Sequence, residues 1–232
     1  DGRLYVLLGD DLIHLDSSAS EACQWRCPGI IHIDELVYGR SISIDTTGNR
    51  LLVGTANGTI VTQSLVDSSA GAVLQPSGTG ELEVSVTTTG ADGVIWAVTG
   101  CDLRFLPPGD GSGALTNWEE YQFCSSSSDQ ATDILVNSGS LMISTGANGV
   151  YVINYNLSSN QSLVGIQSID RWDSGNFLAS NRITDLQMMG NQLLISTENA
   201  GISRRDMSTS TWLSRWSTGN ALASNNVIGT SV

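Results

Sequence analysis

The chain alternates between short apolar runs and turns rich in glycine and asparagine, and the same order recurs several times. The clearest two copies span residues 48–55 and 190–197, which share Gly-Asn-x-Leu-Leu, then a β-branched residue, a small residue and Thr. Residues 139–145 give a third copy with one residue deleted, and residues 92–99 and 1–8 give two more. Short apolar and β-branched runs between turns are typical of strands.

Each copy opens with a turn glycine, and the spacing of these glycines defines a repeat. They are Gly2, Gly48, Gly93, Gly139 and Gly190, at intervals of 46, 45, 46 and 51 residues. A second turn follows, as at 56–58 and 147–149, where Asn-Gly favours a hairpin because both residues tolerate positive φ. One more strand precedes Gly48, Gly93, Gly139 and Gly190, and a fourth segment, often aromatic, follows each hairpin. Four strands in a repeat of about 45 residues predict the blade of a β-propeller.

We therefore predict an all-β fold, a β-propeller of four-stranded antiparallel blades in a single domain over residues 1–232. The predicted blades are 38–80, 81–124, 130–172 and 181–216, with a composite first blade made of 1–37 and 225–232. The composite blade is predicted because the chain starts at a second strand and 225–232 aligns with the first-strand segment 181–188. Pairing of this C-terminal strand with the N-terminal blade would close five blades into a ring without an open sheet edge.

The link between the last two repeats carries the most specific motif. Residues 171–181 and 215–225 both read Arg-Trp, a variable pair, Gly-Asn, a variable residue and Leu-Ala-Ser-Asn. Together with the glycine turn and apolar strand that follow, this motif resembles the propeller repeat in the sensor regions of two-component regulators. Here Gly-Asn-x-Leu stands where that repeat has Asn-Gly-Leu. The resemblance implies recognition of an extracellular ligand such as a glycan, and it carries over no signalling role.

The charge balance argues against nucleic acid as a partner. Acidic residues number 23 against 10 basic ones, every basic residue is Arg, and the net charge is −13. A phosphate backbone would be repelled, and the sequence has no basic stripe to attract one. No apolar run approaches the length needed to cross a bilayer, so we also predict no membrane span.

The cysteines favour disulfides over a metal site. They form two local pairs, Cys23 with Cys27 and Cys101 with Cys124. His14 and His32 do not complete the spacing of a zinc site. Disulfides need oxidising surroundings, which indicates an extracellular or cell-surface location.

Three sequons are compatible with secretion. Asn57, Asn156 and Asn160 each fit the N-glycosylation acceptor pattern. The motif is short, so it indicates candidate sites only.

Carboxylates on the predicted innermost strands raise the alternative of a carbohydrate-active enzyme, glycosidase-like or lyase-like. Asp133 and Asp185 occupy equivalent Thr-Asp positions, and Asp45 is the third candidate. Two carboxylates that flank a sugar bond would suffice for acid and base roles. An Asp that recurs at one repeat position is more often structural, so we favour a protein that is not an enzyme.

No cofactor or metal site is predicted, although Asp10, Asp11 and Asp16 leave calcium open as an alternative. Their spacing does not match a known calcium loop, and a turn rich in Asp is the commoner explanation. Trp25 is the candidate ligand-binding residue, because it lies between Cys23 and Cys27 in an insert outside the repeat. Five other tryptophans could stack on sugars, but such residues usually fill the space between blades. They are Trp96, Trp118, Trp172, Trp212 and Trp216.

These observations predict an extracellular binding or structural propeller module that recognises a glycan or a protein partner, as part of a larger surface protein. Two alternatives stay open. One is the enzyme with carboxylates in the central channel, and the other is a self-assembling subunit of a surface structure.

Overall fold

The computed structural model describes residues 3–8, 11–16, 29–32, 38–66, 70–74, 83–90, 92–107, 118–125, 130–157 and 163–230. Within these ranges the protein is all-β, with 19 strands and no helix. No element there has the length and apolar character of a membrane-spanning helix.

The strands form five sheets, and each sheet follows chain order. The first sheet has three strands: β1 (Arg3–Leu8), β2 (Asp11–Asp16) and β3 (Gly29–His32). The second is β4 (Gly39–Asp45), β5 (Arg50–Thr55), β6 (Ile60–Ser64) and β7 (Ala70–Leu74); the third is β8 (Val86–Thr89), β9 (Ile95–Thr99), β10 (Asp102–Leu106) and β11 (Glu119–Gln122). The fourth is β12 (Ala131–Asn137), β13 (Ser140–Thr145), β14 (Val150–Leu157) and β15 (Leu163–Trp172); the fifth is β16 (Ile183–Met189), β17 (Gln192–Thr197), β18 (Gly201–Asp206) and β19 (Thr211–Trp216).

The prediction of four-stranded antiparallel blades is confirmed for four of these sheets. The repeated apolar run forms the second strand of each: β5, β9, β13 and β17. All five residues of β9 are buried, and in the other three only the first residue is partly exposed. A strand with neighbours on both edges and packing on both faces needs a continuous apolar run, and this is why the repeat is visible in the sequence.

The hairpin glycines are required by close packing as well as by backbone conformation. Gly149 and Gly201 both have φ of 85°, a region that favours glycine. A Cβ at Gly149 would lie 2.1 Å from the carbonyl oxygen of Trp172, and one at Gly201 would lie 2.1 Å from that of Trp216. Each hairpin turn is therefore pressed against the end of the fourth strand.

The prediction of five blades closed by the C-terminal strand is wrong. The first sheet keeps three strands, and the described part of the C-terminal segment, residues 225–230, belongs to no strand. Its polar groups are bonded to the fifth sheet instead. Val227 N donates to Thr197 O at 3.0 Å, and Thr184 Oγ1 donates to Val227 O at 2.6 Å. Because these groups already have partners, they do not form a ladder with β1.

The chain divides into two compact units, the first made of residues 1–99 and 104–120 and the second of 100–103 and 121–232. One domain over 1–232 stays a prediction. Leu52, Ile60, Ile95 and Trp118 are among the buried residues of a core in the first unit. In the second unit, a core that includes Met142, Trp172, Ile183 and Ile195 lies between the fourth and fifth sheets.

A disulfide joins Cys101, in the turn before β10, to Cys124, which follows β11. Their Cα atoms are 5.0 Å apart, and Phe123 N donates to Cys101 O beside the bond. The disulfide therefore ties the outer strand of the third sheet to the turn that precedes its neighbour. Cys23 and Cys27 lie outside the described residues.

Candidate ligand-binding site

Asp133 and Asp185, the predicted catalytic candidates, connect successive inner strands through their carboxylates. Asp133 Oδ1 accepts from Ile134 N and Asp133 Oδ2 accepts from Leu186 N on β16, both at 2.8 Å. Asp185 Oδ2 accepts from Thr230 N at 2.8 Å and from Thr230 Oγ1 at 2.6 Å. Both carboxylates therefore make the same kind of bond to the segment that follows them in the repeat.

The threonine before each of these carboxylates repeats the connection. Thr132 Oγ1 donates to Ile183 O at 3.0 Å, as Thr184 Oγ1 does to Val227 O. The Thr-Asp motif is thus a hydrogen-bonding unit that recurs along the chain. This geometry gives Asp133 and Asp185 a structural role that explains their equivalent positions.

The carboxylate of Asp133 has a pKa well above the ordinary value for an aspartate. Burial raises the pKa of Asp133 to about 6, although hydrogen bonds from Leu186 N and Ile134 N act to lower it. The nearby Asp185 carboxylate adds to the rise. Asp133 therefore takes up a proton much closer to neutrality than an ordinary Asp does.

Asp45, the third carboxylate candidate, is the last residue of β4 and organises the turn that follows. It accepts from Thr47 Oγ1 at 2.6 Å and from Gly48 N at 2.9 Å, and it pairs with Arg50 Nε at 2.8 Å. Burial alone would raise the pKa of Asp45, but the bonds from Thr47, Gly48 and Arg50 outweigh burial and lower it. The Asp45 carboxylate therefore makes its hydrogen bonds and its ion pair within this turn.

Several other candidates fall at the margin of the described structure or beyond it. Trp25, Cys23, Cys27, Asp10 and Asn160 lie outside the described residues. Among the sequons, Asn57 is exposed in the β5–β6 turn, where Thr59 Oγ1 donates to its Oδ1 at 2.8 Å, and Asn156 is exposed on β14. Those glycosylation sites stay predictions.

The histidines and the remaining calcium candidates lie in the first sheet. His14, Asp11 and Asp16 are on β2 and His32 is on β3, with Asp11 opposite His32. No group of three or more His, Cys, Asp or Glu residues in the described ranges is arranged to hold a metal ion.

A cavity that the sequence did not predict lies on the outer half of the fifth sheet. Ile202 pairs with Trp216 and Arg204 pairs with Leu213, so β19 carries one more residue than β18 between these pairs. Such a bulge re-aims the side chains next to it, and bulges are common beside functional sites. The corresponding part of β15 pairs regularly with β14, from Val150–Trp172 to Asn154–Ser168.

The cavity has a volume of about 230 Å³ and opens beside this bulge. We call it the β19 pocket, and its lining includes Phe177, Leu178, Ala179, Arg204, Trp212 and Arg215. Its walls therefore combine the link between the fourth and fifth sheets with side chains of β18 and β19. Ala179 N donates to Ser203 Oγ at 3.0 Å, which holds the link against β18.

Aromatic rings form one wall of the β19 pocket. Phe177 stacks on Trp212 with ring centroids 5.5 Å apart and an interplanar angle of 10°. Trp212 in turn meets Trp172 edge to face at 5.3 Å. Trp172 is buried in the core, whereas Phe177 is 51% exposed. Trp172 therefore forms the buried end of the wall, and Phe177 forms its solvent-exposed end.

Three arginines lie in or next to the β19 pocket. The Arg204 guanidinium lies 4.3 Å from the centroid of Trp216, and that of Arg205 lies 4.6 Å from Trp172 and 5.2 Å from Trp212. Cation–π contacts of this kind are favourable when the guanidinium is partly desolvated. Burial lowers the pKa of Arg205. The third arginine, Arg215, is exposed at the pocket wall.

These three arginines differ from the other described arginines in having no carboxylate partner. Of the eight arginines whose side chains the structure describes, five pair with a carboxylate: Arg40 with Glu83, Arg50 with Asp45, Arg104 with Glu120, Arg171 with Asp173 and Arg182 with Glu198. Within the same described residues, Arg204, Arg205 and Arg215 have no carboxylate partner. Arg204 instead donates to two neutral oxygens, Gln192 Oε1 at 2.8 Å and Ser214 O at 3.3 Å.

The unpaired state of Arg215 can be traced to a single change between repeats. Arg171 Nη2 donates to Asp173 at 2.9 Å, and Ser217 stands at the equivalent position beside Arg215. The two loops are otherwise built alike: Asn176 bonds the backbone of Asp173 and Arg171 as Asn220 bonds that of Ser217 and Arg215. Sequence reasoning missed the pocket, but this Asp-to-Ser difference inside an aligned motif was a visible signal.

Comparisons with known proteins agree with this architecture. No protein-family model matches the chain, and no curated protein sequence matches it significantly. Among solved structures, the extracellular domain of BT4673 from B. thetaiotaomicron, described as a hybrid two component system, superposes with a TM-score of 0.67 at 17% identity. That match covers 98% of this chain and 28% of the other, so this chain spans little more than a quarter of its length.

Two further structures show the same likeness. The β-propeller domain of Cps50 (Swd1) from Myceliophteria thermophila gives a TM-score of 0.58 at 14% identity, over 88% of this chain and 61% of that one. BamB from Moraxella catarrhalis gives 0.54 at 12% identity, over 91% and 62%. At such identities the likeness shows the fold. The chain is thus built of β-propeller blades and resembles the propellers of two-component sensors.

Proposed function

We propose that this chain is the ligand-binding propeller module of an extracellular protein, and that its ligand binds in the β19 pocket. One observation carries the proposal. The described arginines without a carboxylate partner, Arg204, Arg205 and Arg215, all lie in or next to that pocket.

Their placement is unusual for a protein of this charge. With 23 acidic residues against 10 basic ones, a partner for each arginine is abundant, and five of the described arginines have one. A partly buried guanidinium without a counter-ion has lost hydration, and the neutral oxygens that Arg204 bonds do not balance its charge. A site that holds such groups beside exposed aromatic rings is suited to a ligand from outside the chain.

An extracellular setting is supported by two independent facts. The BT4673 structure, whose fold this chain shares, is an extracellular domain. The Cys101–Cys124 disulfide would also persist in oxidising surroundings and be reduced in most cytosols.

Binding is favoured over catalysis by the state of the carboxylates. Asp133, Asp185 and Asp45 each accept hydrogen bonds from backbone N–H groups that hold strands or turns together. A catalytic acid or base must instead face its substrate. The arrangement supports a structural role for all three.

The test is a binding screen of the purified chain against immobilised glycans and extracellular proteins, with Phe177→Ser beside the wild type. Phe177 is 51% exposed, so the substitution removes the open part of the aromatic wall at little cost to folding. We expect a captured ligand to bind Phe177→Ser at least about tenfold more weakly.

Ile228→Ser is the matched control, because Ile228 is 86% exposed and does not line the β19 pocket. It should bind like the wild type. A ligand that binds Phe177→Ser as tightly as the wild type would refute the pocket as the site, and a screen without any ligand would refute the binding function.

A further inference from the structure

The unsatisfied polar groups around the β19 pocket are all hydrogen-bond donors. Within the described residues, Arg204 Nε, Arg205 Nε and Trp212 Nε1 are buried and have no hydrogen-bond partner. Arginine and tryptophan side chains donate and cannot accept. Arg204 and Arg215, which line the pocket, are donors as well, so a complementary ligand presents acceptors, and a negatively charged acceptor matches the guanidinium groups best.

Arg215 is the guanidinium most accessible to such an acceptor. Its side chain is exposed, lines the pocket and makes no bond to any described carboxylate. The equivalent Arg171 shows what this side chain binds when an acid is within reach, since Asp173 accepts from its Nη2 at 2.9 Å. With Ser217 in place of that acid, the position next to Arg215 is open to a carboxylate from a ligand.

The aromatic wall adds a second requirement. Phe177 and Trp212 lie nearly parallel, and Phe177 presents half its surface to solvent. A flat apolar ring face gains from packing against the apolar face of another ring. The volume of about 230 Å³ lies below the roughly 300–1,000 Å³ of pockets for drug-sized ligands, so it accommodates a single ring.

The net charge of the whole chain sets a third requirement on the ligand. A net charge of −13 repels a polymer with closely spaced charges, such as a nucleic acid. A ligand that presents a single carboxylate to the pocket suffers less from that repulsion and still provides an acceptor for the local arginines.

Building on the binding function above, we propose that the β19 pocket binds a hexuronic acid residue of an acidic polysaccharide. The carboxylate of the sugar lies against Arg215, with Arg204 beside it. The apolar face of the sugar ring packs on Phe177. Arg205, held between Trp172 and Trp212, adds positive charge behind the wall.

The experiment is calorimetric titration of the chain with oligosaccharides of galacturonic and of glucuronic acid. Each is compared with the same oligosaccharide after reduction of its carboxylates to alcohols. We expect reduction to weaken binding by about tenfold or more, because a charge-assisted hydrogen bond is lost. A glutamate-rich peptide is titrated in parallel.

Two variants test the assignment of the carboxylate to Arg215. Arg215→Gln should weaken binding of the uronic acids about tenfold and leave the reduced sugars unaffected. Ser217→Asp restores the acid found in the preceding repeat. It should have the same effect, because the new carboxylate would pair with Arg215 as Asp173 pairs with Arg171. Arg182→Gln is the control, since Arg182 is exposed, pairs with Glu198 and lies outside the pocket.

The outcomes separate this proposal from the broader one. Equal binding of acidic and reduced sugars, lost only in Phe177→Ser, would overturn the uronic acid and keep the pocket as a binding site. Binding of the peptide alone, with dependence on Arg215, would also overturn it in favour of an acidic protein partner. Unchanged uronic acid binding in both Arg215→Gln and Ser217→Asp would refute the assignment to Arg215, and absence of binding to every probe would refute both proposals.

Discussion

At position 133 a carboxylate lies between two backbone N–H groups, one from its own strand and one from β16. Burial nevertheless raises the pKa of Asp133 to about 6. The fold therefore holds the charged form of Asp133 at a cost, while the same charge is the better acceptor for Leu186 N. At neutral pH the charged carboxylate of Asp133 links two sheets, although burial disfavours that charge.

This balance predicts a stability that falls as the pH rises. The folded pKa of about 6 lies above the unfolded value near 3.8, so the folded protein binds the proton more tightly between these values. Stability from this group is fully present below about pH 4 and is lost as the pH rises through 6, by at most about 3 kcal/mol. Urea unfolding between pH 4 and pH 8 measures the loss.

Asp133→Asn removes this titration and is the comparison. The difference in unfolding free energy between the variant and the wild type should change with pH, and most of the change should fall between about pH 4 and pH 6, between the unfolded and folded pKa values of Asp133. The Asp45 carboxylate, whose pKa is lowered by its bonds within the turn after β4, is present in both proteins and cancels from this difference. A difference that is constant from pH 4 to pH 8 would contradict the raised pKa.

The hairpin glycines give a second prediction at this scale. Gly149→Ala should destabilise the protein by about 2 kcal/mol or more, because φ is 85° and the new Cβ meets Trp172 O. Gly146→Ala in the same turn is the control, since no atom lies within 4 Å of its Cβ position and its φ is not positive. Thermal unfolding of both variants measures the contrast, and equal melting temperatures would contradict it.

At the scale of elements, local patterns predicted the strands because their causes are local. Glycine turns, Asn-Gly hairpins and apolar runs act over a few residues, so residues 190–201 alone indicate β17 and its turn. The bulge in β19 left no such trace. It depends on how Ile202 pairs with Trp216 and Arg204 with Leu213 across two strands, and the run from 212 to 216 by itself predicts an ordinary strand.

The disulfide in the third sheet yields a prediction at this scale. Cys101 and Cys124 are separated by 23 residues, so the bond limits the freedom of a loop of that length in the unfolded chain. The chain-entropy estimate for such a loop is about 3 kcal/mol. The double variant Cys101→Ala/Cys124→Ala should lose about that much unfolding free energy in denaturant titrations.

A reductant provides the control for that loss. Added to the wild type it should lower stability towards that of the double variant, and added to the double variant it should change little. If the double variant unfolds at the same denaturant concentration as the oxidised wild type, the disulfide adds nothing to stability.

At the scale of the whole molecule, the repeated pattern predicted an all-β protein of four-stranded blades and the composition an acidic one, and the structure confirms four such blades. The count of five and the closure by 225–232 failed because matching sequence does not decide which edge a segment joins. Val227 and Thr230 resemble an inner strand in sequence, yet their backbone groups bond to Thr197, Thr184 and Asp185. Those bonds join residues more than 40 positions apart in two of the three cases.

The sequence by itself determined the strands, their turns, the repeat and the excess of acid, since each follows from the chemistry of neighbouring residues. Tertiary structure decided which carboxylates accept hydrogen bonds that hold strands together. It also decided which of the described arginines have no carboxylate partner. Arg171 and Arg215 are alike in sequence up to Asp173 and Ser217, but only the fold places Phe177, Trp212 and Arg204 around the second of them. A binding site depends on side chains that meet in space, and those meetings are set by packing between strands rather than by spacing along the chain.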